Sequence, residues 1–170
     1  MNNKIVTRRT RMNKESKGSY AEVHGLKMYY EIHGEGFPLV LLHGGLSTIG
    51  TSFGKVLPGL ARERQVIAIE QQAHGHTADI NRSLTIEQMA DDTTALLRNL
   101  GIEEADIFGY SLGAGIALQV TIKHPDLVRK LVLAAVTYNK DGLQPGLLAG
   151  MENLKPENLA GTPGKRSTPG

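Results

Sequence analysis

The chain has 170 residues, 40% apolar and 21% charged, which is enough for one domain with a real core and shows no bias toward fibre, membrane span or wholesale disorder. Its formal net charge of +2 divides unevenly: Lys4, Arg8, Arg9, Arg11, Lys14 and Lys17 against Glu15 put +5 in the first seventeen residues and leave −3 on the rest, a basic tail on a slightly acidic body that argues against a dedicated nucleic-acid surface. The absence of cysteine excludes a disulfide scaffold, a thiolate metal site and a Cys nucleophile; no apolar run suits a signal peptide or a membrane span, so a soluble cytoplasmic protein with no membrane partner is expected.

Residues 1–18 are polar, basic and without period, and read as a disordered tail. From Glu22 to Ile32 two short strands are expected around a turn at Gly25, and Gly34-Glu35-Gly36 breaks the pattern. Leu39-Val40-Leu41-Leu42 and Val66-Ile67-Ala68-Ile69 are short continuous apolar runs, the pattern of strands buried on both faces of a parallel sheet. Ile86, Met89, Ala90, Thr93, Leu97 and Leu100 repeat at helical spacing. Thr85 with Gln88 reads as a capping box, Leu84 with Met89 as a hydrophobic staple, and Gly101 as the terminating residue. Asp106-Ile107-Phe108 reads as a further strand, Leu112 to Lys123 as a helix ended by His124-Pro125, and Leu131 to Val136 as the last strand. Strands alternating with helices imply a three-layer α/β/α sandwich around a mostly parallel sheet. Residues 139–170 hold six glycines and four prolines and form no further strand in this reading, with only Gly150 to Ala160 helix-like.

Gly109-Tyr110-Ser111-Leu112-Gly113 matches G-x-S-x-G between a predicted strand and a predicted helix, the context in which the pattern marks a nucleophile elbow. Ser111 is the candidate nucleophile. The tight turn that lifts its hydroxyl off the sheet leaves space only for glycine two residues to either side. His43-Gly44-Gly45 follows the strand at Leu39 to Leu42, the place of the loop that donates one oxyanion-hole amide to a nucleophile elbow. The backbone amides of Gly45 and Leu112 are the candidate donors, and His43 is read as a structural residue that pins the loop. His74 and His76 are read as ordering their own loop; without a nearby carboxylate or Cys the pair makes no metal site, and no cofactor is called for.

On three blocks the chain resembles the α/β-hydrolase fold superfamily, near its bacterial esterase, lipase and haloperoxidase-like members: Leu39 to Gly45, Val66 to Thr77, and Phe108 to Gly113 running on to Leu131-Val132-Leu133. The likeness spans about residues 22–138, so that 19–138 reads as the N-terminal part of the domain. Where the family usually has Asp, Arg, Gly and Ser, this chain has Glu70, Gln72, Ala73 and Thr77. The resemblance implies a serine hydrolase of carboxylic esters or related acyl compounds, with a small ester-like substrate and an acyl-enzyme at Ser111. It also implies a triad acid and histidine later in the chain than Ser111. The only later histidine is His124, about 20 Å along the helix from the serine, and among Asp126, Asp141, Glu152 and Glu157 no acid has a histidine to orient. Residues 140–163 resemble the opening of the family's cap segment. The expectation is therefore a sheet truncated after the strand at 131–136, a gene fragment or frameshifted reading, with an inactive fragment or pseudoenzyme as the rival function. Self-association through the exposed edge of that last strand is expected with it.

Overall fold

The computed structural model describes residues 18–136; the basic tail before Gly18, the segment 139–170 and its acids Asp141, Glu152 and Glu157 lie outside the described residues. Strands β1 (Ser19–Val23) and β2 (Leu26–His33) form a hairpin. His24 and Gly25 turn it with φ of 48° and 77°, the paired positive values of a two-residue hairpin turn. Then follow β3 (Pro38–Leu42), the short helices α1 (Ile49–Phe53) and α2 (Leu57–Leu60), and β4 (Gln65–Ile69). Helix α3 (Ile86–Asn99), β5 (Ala105–Tyr110), α4 (Leu112–Lys123), a 3-10 turn at Pro125–Leu127 and β6 (Val128–Ala134) complete the described chain.

The sheet runs β1-β2-β4-β3-β5-β6, with β4, β3, β5 and β6 parallel, β2 antiparallel to β4, and β1 antiparallel to β2 and so in the direction of the rest. The apolar runs are buried on both faces, as their composition requires. Val40, Leu42, Ile67, Ile69 and Ile107 join the core under α3 and α4. Their alternates Leu39, Leu41, Val66 and Ala68 pack with Ile49, Phe53 and Leu57 of α1 and α2. This is the three-layer sandwich expected. The chain leaves β3 toward β4 on one side and returns to β5 on the other, so the crevice at the carboxyl ends of β3 and β5 is the topological switch point where such sheets bind ligands.

Helix α3 bears out the middle of its stripe, with Met89, Ala90, Thr93 and Leu97 buried and Leu100 half-buried against the core, but at its start Ile86 and the staple residue Leu84 are exposed. Gly101 at φ 72° closes it, its amide bonded to Arg98 O and the Ile102 amide to Leu97 O, the paired hydrogen bonds of a Schellman end. Only half of the capping box forms: Thr85 Oγ1 accepts from the Gln88 amide, but the Gln88 side chain turns to Asp92 Oδ1, because a buried carboxylate is a stronger acceptor than solvent-exposed backbone is a donor. No helix among the described residues is long and apolar enough to cross a membrane.

The last strand is displaced from the expected 131–136 to Val128–Ala134. Pairing, not composition, sets its ends. At the start Arg129 bulges out of register beside Asp106 and bonds both carboxylate oxygens at 2.8 and 2.7 Å. With Arg64 it holds the Asp106 carboxyl down at about 2. At the far end Ala134 O accepts the Ser111 amide at 2.9 Å and Ala135 turns left-handed at φ 54°. Arg129 and Lys130 thus sit inside the strand, and its uncharged stretch shrinks to Leu131–Ala134, with Val132 54% exposed.

No described strand pairs with the outer edge of β6. Lysine at an edge opposes pairing, and one short strand pair buries less area than a stable interface needs. A second copy is therefore expected to pair there weakly, and only at high concentration. Sedimentation should show reversible self-association that Val132→Lys abolishes without loss of melting temperature; a strict monomer at every concentration would reject edge pairing.

Candidate active site

Ser111 lies at the junction of β5 and α4 with φ 52° and ψ −115°, a conformation that an L residue adopts only when its surroundings impose it. The surroundings here are two glycines. A Cβ on Gly109 would stand 2.3 Å from Gly113 O and 2.6 Å from Ala114 Cα, and one on Gly113 would stand 2.0 Å from Leu42 O. The elbow glycines are thus required by backbone-to-backbone approach, as the motif implied. The serine is exposed, with its amide tied to Ala134 O and its carbonyl accepting from the Ala114 amide.

The loop after β3 meets this turn. A Cβ on Gly44 would lie 3.4 Å from Ser111 Cβ, and one on Gly45 3.9 Å from Leu112 Cβ. The structure therefore brings together Ser111, Leu112 and Gly45. His43 is fully buried; its Nδ1 lies 2.7 Å from Gly44 O, and its Nε2 accepts the Gln71 amide at 3.1 Å. Both ring nitrogens are thus engaged by loop backbone, the contacts of a loop-pinning residue.

The loop after β4 is ordered by its departures from the family pattern. Glu70, buried to 2%, accepts the Ile49 amide on Oε1 at 3.3 Å, and Oε2 takes the His76 amide at 2.5 Å and lies 2.9 Å from His76 Nδ1. Thr77 Oγ1 donates to Glu70 O and accepts the Tyr29 amide. Gln72 Nε2 donates to Asp79, and Gln72 Oε1 accepts from Arg82 Nε at 2.6 Å. His74 Nε2 accepts the Leu46 amide at 3.2 Å. A carboxylate does reach His76, which spacing along the chain did not reveal; no group of three or more metal-ligand side chains occurs among the described residues.

A model of the α/β-hydrolase fold family matches residues 38–162 of the chain. The chain belongs to the α/β-hydrolase family. It is 37% identical over 116 residues to a 2-hydroxymuconate semialdehyde hydrolase of Pseudomonas sp. (strain CF600), covering 64% of this chain and 40% of that protein. It is 29% identical to a pyrrolizixenacetamide deacetylase of Xenorhabdus hominickii, covering 66% and 42%. Among solved structures, an N-acyl homoserine lactone degrading enzyme superposes with a TM-score of 0.69 at 32% identity, over 79% of this chain and 52% of that one. The chain spans less than half the length of these two curated relatives.

In this α/β-hydrolase the one histidine that follows Ser111 in sequence, His124, caps the opposite end of α4, with Nδ1 3.4 Å from Arg98. It is remote from the serine, as expected. The roles of Glu70, Gln72 and Thr77 were not read from sequence; their signal was the departure itself, a set of polar residues standing together where the family differs.

Burial lowers the His43 imidazole to about 4, helped by the nearby His74 and opposed by the hydrogen bond to Gly44. In the unfolded chain it titrates near 6.5, so between these values the unfolded state alone holds the proton. Stability carried by neutral His43 is complete above about pH 6.5 and is lost as pH falls toward 4, by about 3 kcal/mol. Urea unfolding at pH 7 and pH 4 should show this loss in the wild type and a smaller one in His43→Asn. Equal pH slopes in the two proteins would contradict it.

Proposed function

We propose that the chain carries the nucleophile and oxyanion half of a serine hydrolase site that acts on carboxylic esters or related acyl compounds through an acyl-enzyme at Ser111. The observation that carries this reading is the enforced Ser111 conformation between two glycines that admit no side chain. A turn held at that cost has a use for an exposed hydroxyl. The Ser111 oxygen would attack the acyl carbon and lose its proton to a base, while the carbonyl oxygen gathers charge within reach of the Gly45 and Leu112 amides. Collapse expels the leaving alcohol or amine with a proton, and water then releases the acid from the serine. Preset backbone donors suit this step because they need no reorganisation as charge develops. The semialdehyde hydrolase, the deacetylase and the lactone-degrading enzyme to which the chain is similar support hydrolysis as the class of reaction.

The rival reading is an inactive fragment or pseudoenzyme, favoured by the position of His124. Loss of a triad histidine costs on the order of 10⁶ in turnover. The 170-residue chain is therefore expected to hydrolyse p-nitrophenyl acetate no more than a few-fold faster than Ser111→Ala. Free imidazole, offered as a base, should add a serine-dependent increment, and a fluorophosphonate should label Ser111 alone. Robust serine-dependent turnover without imidazole would show that another group activates Ser111. Neither labelling nor an increment would leave the pseudoenzyme reading in its place.

A further inference from the structure

The loops after β3 and β4 exchange histidines. His43, on the first, uses Nδ1 on the Gly44 carbonyl of its own loop and Nε2 on the Gln71 amide of the other. His74, on the second, repeats the scheme in reverse, with Nδ1 2.8 Å from its own Gln72 carbonyl and Nε2 on the Leu46 amide across the gap. The rings lie 5.0 Å apart between centroids, tilted by 50° to each other. A backbone N–H can only donate, so each Nε2 must be the acceptor and each ring a neutral Nδ1–H tautomer.

The two contacts fall on the two peptide units that flank Gly45. Gly44 O and the Gly45 N–H belong to one planar trans peptide and point in opposite directions. With His43 drawing that carbonyl inward, the Gly45 N–H is turned outward, to the side where Gly45 is exposed. The following peptide carries the Leu46 amide. Leu46 sits at φ 55° with its side chain 69% exposed, so its own burial does not hold a left-handed backbone that leucine disfavours. The His74 hydrogen bond is the contact that does.

We propose that His74 is a positioning residue for the oxyanion hole: by accepting the Leu46 amide it completes, with His43, a two-histidine clasp that holds the Gly45 N–H toward the space above Ser111. The proposal rests on the reading of Gly45 as an oxyanion donor. It assigns His74 no proton transfer and no contact with substrate.

The test uses the full chain, His74→Leu and His74→Gln, since a glutamine amide oxygen can reach where Nε2 stands. In the wild type, long-range proton–nitrogen NMR should report His74 as the Nδ1–H tautomer. Water-exchange NMR should show the Leu46 amide exchanging at least about tenfold faster in His74→Leu, with the Gly45 amide resonance displaced and the melting temperature little changed. His74→Gln should restore slow exchange. The imidazole-supported, Ser111-dependent ester increment should fall about tenfold or more in His74→Leu, in kcat and not KM, and recover in His74→Gln; removal of a whole oxyanion donor costs 10²–10³. Unchanged Leu46 exchange in His74→Leu, or an Nε2–H tautomer in the wild type, would overturn the clasp. Altered exchange with an undiminished increment would overturn the positioning role. The exchange readout does not involve Ser111, so a chain with neither fluorophosphonate labelling nor a serine-dependent increment would reject the proposed function while exchange still decides the clasp.

Discussion

Gly113→Ala is expected to destabilise the chain by about 3 kcal/mol or more, a fall in melting temperature of roughly 10 °C or more, or to prevent folding altogether. The new Cβ would lie 2.0 Å from Leu42 O, 2.4 Å from Leu42 C and 2.7 Å from His43 O. All three are backbone atoms of the strand and loop that hold the site, so no rotamer change relieves the contact. Helix α4 would have to lift off β3, and the Gly45 loop would move with it. Gly109→Ala meets the same kind of obstacle, at 2.3 Å from Gly113 O. Gly115→Ala is the matched control: its Cβ meets only the Ile86 side chain, nearest at the flexible Cδ1 at 3.1 Å, and alanine favours the helix by up to about 1 kcal/mol. Thermal melts of the three variants decide the matter. A Gly113→Ala protein that melts with the wild type would mean that the elbow is looser than its backbone contacts imply.

Arg82→Met is expected to cost about 3 kcal/mol, because it strands a carboxylate in the core. Asp92, on α3, is fully buried and is held by a forked Arg82 guanidinium through Nη1 and Nη2, by His24 Nδ1 at 2.9 Å and by Gln88 Nε2 at 3.3 Å. The same arginine donates through Nε to Gln72, so it ties the β4 loop, and with it His74, to α3. The polar departure at Gln72 thus has a partner of its own. Removing the charge at both ends, as Arg82→Met with Asp92→Leu, should recover most of the loss, since a well-packed apolar pair avoids the desolvation that an ion pair must offset. Chemical denaturation of both single variants and the double variant measures the coupling. Equal losses that simply add would show that the two side chains act independently.

Features that depend on contacts within one or two turns of chain were legible from residue order. The hairpin at His24-Gly25, the stripe and the closing glycine of α3, and α4 from Leu112 to Lys123 are of this kind. So is the elbow, because a strained turn between strand and helix demands glycine at set offsets. Short α1 was not legible: a single turn shows no period, and its capping box joins Thr48 and Thr51 inside a run of small polar residues that reads as loop. The limits of β6 were misplaced for a related reason. An apolar run marks where a strand can be buried, whereas pairing with β5, the Arg129 grip on Asp106 and the left-handed Ala135 mark where it is.

The site as a whole belongs to the second class. The elbow motif and the place of the loop after β3 marked Ser111, Leu112 and Gly45 as candidates separately, and strand order β4-β3-β5 made them neighbours. The clasp between His43 and Gln71 and between Leu46 and His74 joins residues 28 apart in each case. The Glu70 carboxylate reaches both the Ile49 and the His76 amides. None of these contacts has an energy until β3 and β4 are paired and their loops share one end of the sheet. Local propensity acts on the isolated segment and is written in its residue types; the hydrogen bonds that join the loops after β3 and β4 exist only between segments, after the hydrophobic sheet has brought them together.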